Sequence, residues 1–409
     1  MLNMDIILYD GIERNSLLPF TYIRAVADIR IGILTLREKW EAMLSGEVGI
    51  FAYPYLQPKY SYTLTPETYF VNASYLPDGD FLEALSGLKV DESLVIGREV
   101  AAFRTSTPIS TLNHLNMVAK TLQKVSYAGK PTYLKYPWDI FTYNGSEIAK
   151  DIERMKLTPN GDALDMSNKV ISPENVYVQK GAKATCAIIN ASQGPVYIGA
   201  DAELMEGSIV KGTFALGDHA TVKMGAKIYG DTTIGPHCKV GGEVSNTVFF
   251  GYANKGHDGY IGNAVIGEWC NLGADTNCSN LKNNYSKIKV WHYPDGKAID
   301  TGLQFCGLLL GDHSKCGINT MFNTGTVIGV SANIYGGDFP PKFIPSFTWG
   351  SVHDGWQEFD IKKALVVAQN MMDRRGVALT DVDKQIFWQI HEDSLVFRNQ
   401  LIQSFTREK

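Results

Sequence analysis

Charge excess, paired cysteines and long apolar runs are all lacking in this chain. Thirty-eight Lys and Arg against 43 Asp and Glu leave a net charge of −5 over 409 residues, and no basic stretch stands out. That argues against a surface that binds nucleic acid or an anionic membrane by releasing counterions. No segment reaches the roughly 18 consecutive apolar residues of a membrane span. Met1 to Asp10 lack the basic region and apolar run of a secretion signal. Six cysteines show no Cys-x-x-Cys spacing, so neither zinc ligation nor disulfides are expected. These absences describe a soluble, cytoplasmic chain with room for two or three domains.

What the sequence does contain is a period. Ile198, Leu204, Val210, Leu216, Val222, Ile228, Ile234 and Val240 follow one another at intervals of six. Four residues after each comes a second register, among them Ala202, Ser208, Ala220, Ala226 and Cys238. An α-helix repeats at 3.6 and a strand at 2, so neither sustains this beat. A solenoid does, because each short strand turns a corner and stacks the next aliphatic residue inward. The beat returns at Ile266 and Leu272, and again at Leu310, Cys316, Phe322, Ile328 and Ile334. Cys238, Cys270 and Cys316 fall on inward positions and read as small buried hydrophobes.

Between these runs the count breaks, and segments near 245–259 and 277–305 are expected to leave the solenoid as loops on a binding face. The first contains Asn254-Lys255-Gly256-His257-Asp258-Gly259-Tyr260 and the second Asn280-Leu281-Lys282-Asn283-Asn284-Tyr285. Upstream, the pattern predicts strands at Met4–Tyr9, Gly49–Ala52, Thr68–Val71 and Ser93–Ile96, with helices at Ile33–Met43, near Asp80–Leu88 and about Glu147–Met155. Downstream, Pro340, Pro341 and Pro345 are expected to close the repeats. Two helices follow, one carrying Leu365, Ala368, Met371 and Met372 and ending near Arg374-Arg375, and they read as a cap on the coil end. The expected domains are 1–160, a linker at 161–175, the solenoid at 176–345 and a helical extension at 346–409.

The hexads, Lys255-Gly256-His257-Asp258-Gly259-Tyr260-Ile261-Gly262-Asn263 and Ile266-Gly267-Glu268-Trp269-Cys270-Asn271-Leu272-Gly273-Ala274 resemble the acetyltransferase half of the bifunctional family that makes UDP-N-acetylglucosamine. Arg14, Leu18-Pro19-Phe20-Thr21 and Arg24 are similar to the signature of its other half, a sugar-phosphate uridylyltransferase. As a whole the chain resembles the divergent, shortened form of this family typical of the Bacteroides group. The resemblance implies a nucleotidyltransferase-like α/β domain, a left-handed parallel β-helix and a C-terminal helical tail. It also implies acetyl transfer from acetyl-CoA to glucosamine 1-phosphate, followed by reaction of the product with UTP.

Carried over residue by residue, the resemblance makes His257 the general base that takes the proton of the sugar amine. Tyr260, Asn271 and Asn280 become contacts to the sugar phosphate, and Ala274, Ile318 and Gly336 backbone contacts to CoA. Lys315 or Lys342 is placed to meet the phosphates of CoA. Where the family has a phosphate-binding lysine, this chain has Ser245. Counting back three hexads puts Lys227 one coil below Ser245, and Lys239 bears the same relation to His257. Lys227, with Lys239 or Lys255, is therefore the expected replacement cation.

In the N-terminal region Gly11 and Arg14 remain of a phosphate-cradling loop, Arg24 is a second phosphate-binding candidate, and Asp139 is a candidate Mg2+ ligand. A homotrimer with CoA between subunits is implied. Two alternatives stay open: a nucleotide-sugar-binding regulatory or scaffold protein with an inactive N-terminal domain, and acetylation of another amino sugar.

Overall fold

The computed structural model describes residues 2–65 and 68–407 and divides into two compact bodies. One takes the chain up to Leu17 with Arg24–Ile29 and Leu34–Tyr136; the other takes Leu18–Ile23, Arg30–Ile33 and everything from Pro137.

The first body is built on six strands: β1 (Ile6–Tyr9), β2 (Val48–Phe51), β3 (Tyr69–Asn72), β4 (Glu92–Ile96), β5 (Glu99–Arg104) and β6 (Gln123–Ser126). Their order is β2-β1-β3-β5-β4-β6. β1 runs parallel to both neighbours, and all four of its residues, Ile-Ile-Leu-Tyr, are buried. A continuous apolar run is what a strand covered on both faces requires. β5 is antiparallel to β3 and β4. Helices α1 (Glu13–Ser16), α2 (Leu36–Met43), α3 (Gly79–Ser86) and α4 (Leu112–Thr121) connect the strands. α2 opens on a capping box in which Thr35 and Glu38 satisfy each other's backbone N–H.

Helix α5 (Pro137–Arg154) belongs to the second body, although the sequence pattern had grouped residues up to 160 with the α/β domain. The reason is a set of polar contacts from its buried face. Asn144 Oδ1 accepts the Gly32 N–H at 2.7 Å and the Thr233 hydroxyl at 3.1 Å, while its amide donates to the Asp231 carbonyl at 2.8 Å. On the same helix Arg154 donates to Glu147 at 2.8 Å and to Asp151 at 2.7 Å, both carboxylates being fully buried. Replacing Arg154 by Met removes the cation shared by two buried carboxylates. Unfolding in urea should show a loss of about 3–5 kcal/mol, and a loss below about 1 kcal/mol would show that Lys150 and solvent suffice.

The rest of the second body is a parallel β-solenoid in three ladders. One climbs through Val170, Ile189, Val210, Ile228, Val244 and Ile261. A second climbs through Val178, Ile198, Leu216, Ile234, Phe249, Ile266, Leu310, Ile328 and Ile344. The third contains Ala184, Leu204, Val222, Val240, Lys255, Leu272, Cys316 and Ile334. The hexad residues face inward into one core that also holds Cys238, Cys270, Cys278 and Cys316. Each fully buried aliphatic side chain there contributes about 1.5–3 kcal/mol by leaving water.

Two expectations about this body need correction. Residues 245–259 do not leave the solenoid: Glu243–Phe249 is one strand that crosses a corner, and Asn254–Lys255 and Tyr260–Ile266 stay in the ladders. A coil advances 18 residues from Ile198 to Leu216 to Ile234, but only 15 to Phe249 and 17 to Ile266. The beat was lost by shortening, not by insertion. The second interruption is a true excursion, carrying an antiparallel hairpin of Lys289–His292 and Lys297–Asp300. Nor do the prolines end the repeats. Phe343–Ile344, between Pro341 and Pro345, and Thr348–Ser351, beyond them, both pair in parallel, because Pro341 and Pro345 flank a strand, where no ladder N–H is needed from them. Helices α6 (Ile361–Asp373), α7 (Asp381–Asp393) and α8 (Leu395–Arg407) complete the body.

Candidate functional site

His257 stands on the corner between the strand Asn254–Lys255 and the strand that begins at Tyr260. Its side chain is exposed and makes no hydrogen bond to the described residues. The corner beneath it is held from inside. Lys255 occupies an inward ladder position, paired with Val240, and is 1 % exposed. Its ammonium donates to the carbonyls of Gly241 at 3.0 Å, His257 at 2.8 Å and Asp258 at 3.3 Å. Three donors meet three acceptors, so this lysine has none left for a substrate phosphate, and its expected binding role is withdrawn. Burial pushes its pKa down to about 8, against the opposing pull of Asp258 and Asp275.

Above His257 the coils align. Asn254 pairs with Asn271, Asn271 with Lys315 and Lys315 with Asn333. Counting three residues on from each places Ala274, Ile318 and Gly336 in one column over His257. The Asp275 N–H to the Asp258 carbonyl and the Asn319 N–H to the Ala274 carbonyl keep that register around the corner. Ile318 is 67 % exposed, so the column offers small residues and one uncovered apolar side chain.

Tyr260 and Asn280 are brought together. The Asn280 amide donates to the Tyr260 hydroxyl at 2.9 Å and to Asn263 Oδ1 at 2.8 Å. Burial raises the Tyr260 pKa, keeping the hydroxyl protonated and able to donate. Asn271 is not part of this group. It lies on the third ladder, where Asn254 donates to it at 2.9 Å, and it faces α6 together with Lys239 and Lys315.

The lysine registers also differ from expectation. Lys227 pairs with Glu243, two residues short of Ser245, and Lys239 pairs with Asn254, not with His257. Coil shortening explains both shifts. Lys227 is exposed, with Glu243 its neighbour in the ladder. Lys227→Ala should therefore lower kcat/KM for an amino-sugar phosphate by less than about fivefold, the worth of a solvated ion contact. A loss above about tenfold, absent with the unphosphorylated sugar, would restore it as the phosphate cation.

In the first body, Asp10, Gly11, Glu13, Arg14 and Asn72 gather where β1 and β3 end. Asp10 accepts the N–H groups of Val26 and Tyr53, each at 2.8 Å, and burial still raises its pKa to about 6. Gly11 is needed for close approach: a Cβ there would lie 2.3 Å from Glu13 Oε2 and 2.6 Å from Asn72 Nδ2. Glu13 accepts from Asn72 at 3.0 Å and from the Tyr133 hydroxyl. Arg14 is buried, bonded to Asn15 and Tyr55, and stacked 4.0 Å over the Tyr53 ring. Arg24 is buried too. Asp139 lies in the first turn of α5, in the other body. Among the described residues no three His, Cys, Asp or Glu side chains converge to hold a metal ion, so the proposed Mg2+ role of Asp139 has no supporting ligand set.

One feature the sequence did not signal is a column of rings on another corner. His219, His237, Tyr252 and Trp269 stack with centroids 4.8, 4.6 and 4.1 Å apart, and His313 follows at 6.1 Å. Each has a positive φ. The even spacing of His219 and His237 was visible; the shortened coils hid the rest.

These two bodies define a transferase with a sugar-nucleotidyltransferase-like α/β domain and a hexapeptide-repeat acyltransferase solenoid. Residues 6–158 match the model of a family described as sugar nucleotidyl transferase. A bifunctional sugar-1-phosphate nucleotidylyltransferase/acetyltransferase of Sulfurisphaera tokodaii is 28% identical over 280 residues, covering 61% of this chain and 69% of that protein. The bifunctional protein GlmU of Methanocaldococcus jannaschii is 30% identical over 87 residues, 21% of each chain. An uncharacterized acetyltransferase, YaiX, of Escherichia coli O6:K15:H31 is 26% identical over 202 residues, 48% of this chain and 85% of that protein. Over residues 6–158 the chain is similar to the sugar nucleotidyl transferase family, and over a longer stretch it is a divergent relative of these bifunctional enzymes.

Proposed function

We propose that the solenoid transfers an acetyl group from acetyl-CoA to the amine of glucosamine 1-phosphate. The observation that carries this reading is the column of His257, Ala274, Ile318 and Gly336 on one corner. An exposed imidazole with no hydrogen-bond partner among the described residues sits at the foot of a strip able to receive an extended pantetheine arm. The amine nitrogen attacks the thioester carbonyl, the C–N bond forms and the C–S bond breaks. His257 takes the amine proton, and the departing thiolate is protonated in turn. Tyr260, three residues after His257, and Asn280, which donates to its hydroxyl, orient the sugar hydroxyls in this reading.

The α/β domain then joins the N-acetylated sugar phosphate to UTP, releasing pyrophosphate. Gly11 and the backbone that follows β1 approach the nucleotide in this reading. A second reading keeps acetyl transfer and leaves the α/β domain to bind nucleotide sugar without turning it over. It is favoured by Arg14, whose guanidinium is already engaged by Tyr53, Tyr55 and Asn15.

Assay of the purified chain for thiol release with glucosamine 1-phosphate, and separately for pyrophosphate release with UTP and N-acetylglucosamine 1-phosphate, tests the two halves. Thiol release alone selects the second reading. The acetyl-transfer corner is open to water, so the active form is proposed to be a homotrimer in which a neighbour covers it, and sedimentation at assay concentration should show it.

A further inference from the structure

A second cleft lies where α6 crosses the third ladder, and the reading above does not use it. It has a volume of about 600 Å³ and is lined by four cations, Lys239 and Lys315 from the solenoid and Arg374 and Arg375 from the turn that follows α6. Among the described residues no acidic side chain lines it. Lys239, Arg374 and Arg375 have no ion pair or side-chain hydrogen bond among the described residues, and Lys315 reaches only the His313 carbonyl, at 2.7 Å. Four like charges converging without a counter-charge raise the energy of the empty cleft, and an anion relieves it. The nearby Arg375 in particular depresses the pKa of Lys239.

The rest of the wall adds chemistry. Asn254, Asn271 and Asn370 supply amides. Because Asn254 donates to Asn271 Oδ1, the Asn254 carbonyl oxygen and the Asn271 amide remain for hydroxyl groups. Val367 and Met371 line the α6 side and present apolar surface. The volume is that of a nucleotide-sized site.

We infer that this cleft binds a nucleoside diphosphate group: the cations take the two phosphates, the amides the ribose, and Val367 with Met371 the base. Tyr252 is not a stacking platform, since the rings of His237 and Trp269 cover both of its faces. Two ligands share this chemistry, a nucleotide sugar and the ADP head of CoA. With CoA as the ligand the inference rests on the acetyl-transfer reading above and extends its strip; with a nucleotide sugar it stands apart from that reading.

The test is amine footprinting of the full chain, reading acylation of Lys239 and Lys315 by mass spectrometry with exposed Lys227 as internal control. UDP-N-acetylglucosamine and CoA are the two probes, and unphosphorylated N-acetylglucosamine is the control. At about ten times Kd, one probe should slow labelling of both lysines about tenfold. Whichever protects identifies the source of the diphosphate. Protection should vanish in Arg374→Ala/Arg375→Ala, whose fold is checked by circular dichroism, and persist in His257→Ala. Binding in the α/β domain does not move this readout. No protection by either probe, or equal protection in the double variant, overturns the inference.

Discussion

His257→Ala should lower acetyl transfer by about 10²–10⁴-fold, the range for loss of a general base, with an unchanged melting temperature. The fold has little to lose: the imidazole is exposed and bonded to nothing described, while the backbone of the corner is held by Lys255 through the His257 carbonyl, which every side chain at this position retains. The loss should appear in kcat, with KM for acetyl-CoA near the native value, because the contacts proposed for CoA lie in the column above and not on His257. His257→Gln, which keeps a hydrogen-bonding group but cannot take the proton, should be as slow as the alanine variant. Turnover within about threefold of native in either variant removes His257 from the chemistry.

Lys255→Met should separate stability from activity. Lys255 sits in an aliphatic position of the ladder, between Val240 below and the Leu272 coil above, so Met fits the space and removes a buried charge. Relief of the buried charge stabilises, while the three carbonyls left without this donor offset part of the gain, so the variant should be close to native in stability or modestly above it. The corner, however, loses the three bonds that fix Gly241, His257 and Asp258. A misplacement of about 1 Å costs up to about 10²-fold in rate, so kcat should fall about 10- to 100-fold while KM changes little. Lys255 acts here as a positioning residue.

The pH dependence provides a second readout. The folded-state pKa near 8 lies below the unfolded lysine value of 10.5. Between those values the unfolded chain binds more protons, so native stability rises with pH as the cost of burying the charge is relieved. The advantage of the Met variant should be largest below pH 8 and shrink between about pH 8 and 10.5. A variant of native activity would reduce Lys255 to a space-filling role.

The six-residue beat made the solenoid legible because every inward side chain in a coil obeys the same spacing, and it correctly assigned Cys238, Cys270 and Cys316 to the core. It failed between Val240 and Ile266. There the coils shorten at their corners, and a count of hydrophobic residues cannot tell a shortened coil from an inserted loop. That one ambiguity moved Lys227 and Lys239 out of register and hid Lys255, whose place inside the barrel is apparent only when its three carbonyl partners are seen. The assignment of α5 to the second body was equally invisible. It depends on Asn144 meeting Gly32 and Thr233, residues far apart along the chain. The cations of α6 were read as part of a cap because nothing in a helical stripe of Leu365, Ala368 and Met372 says which ladder its other side approaches.

Acetylation of an amino-sugar phosphate at the corner bearing His257 can be followed by incubating the purified native chain with isotopically labelled acetyl-CoA and glucosamine 1-phosphate, beside a His257→Ala control, and analysing the sugar products by mass spectrometry. Labelled N-acetylglucosamine 1-phosphate should form with the native chain, in proportion to free CoA, and almost none with the control. Label that stays in acetyl-CoA, or that reaches the sugar equally in both proteins, would contradict it.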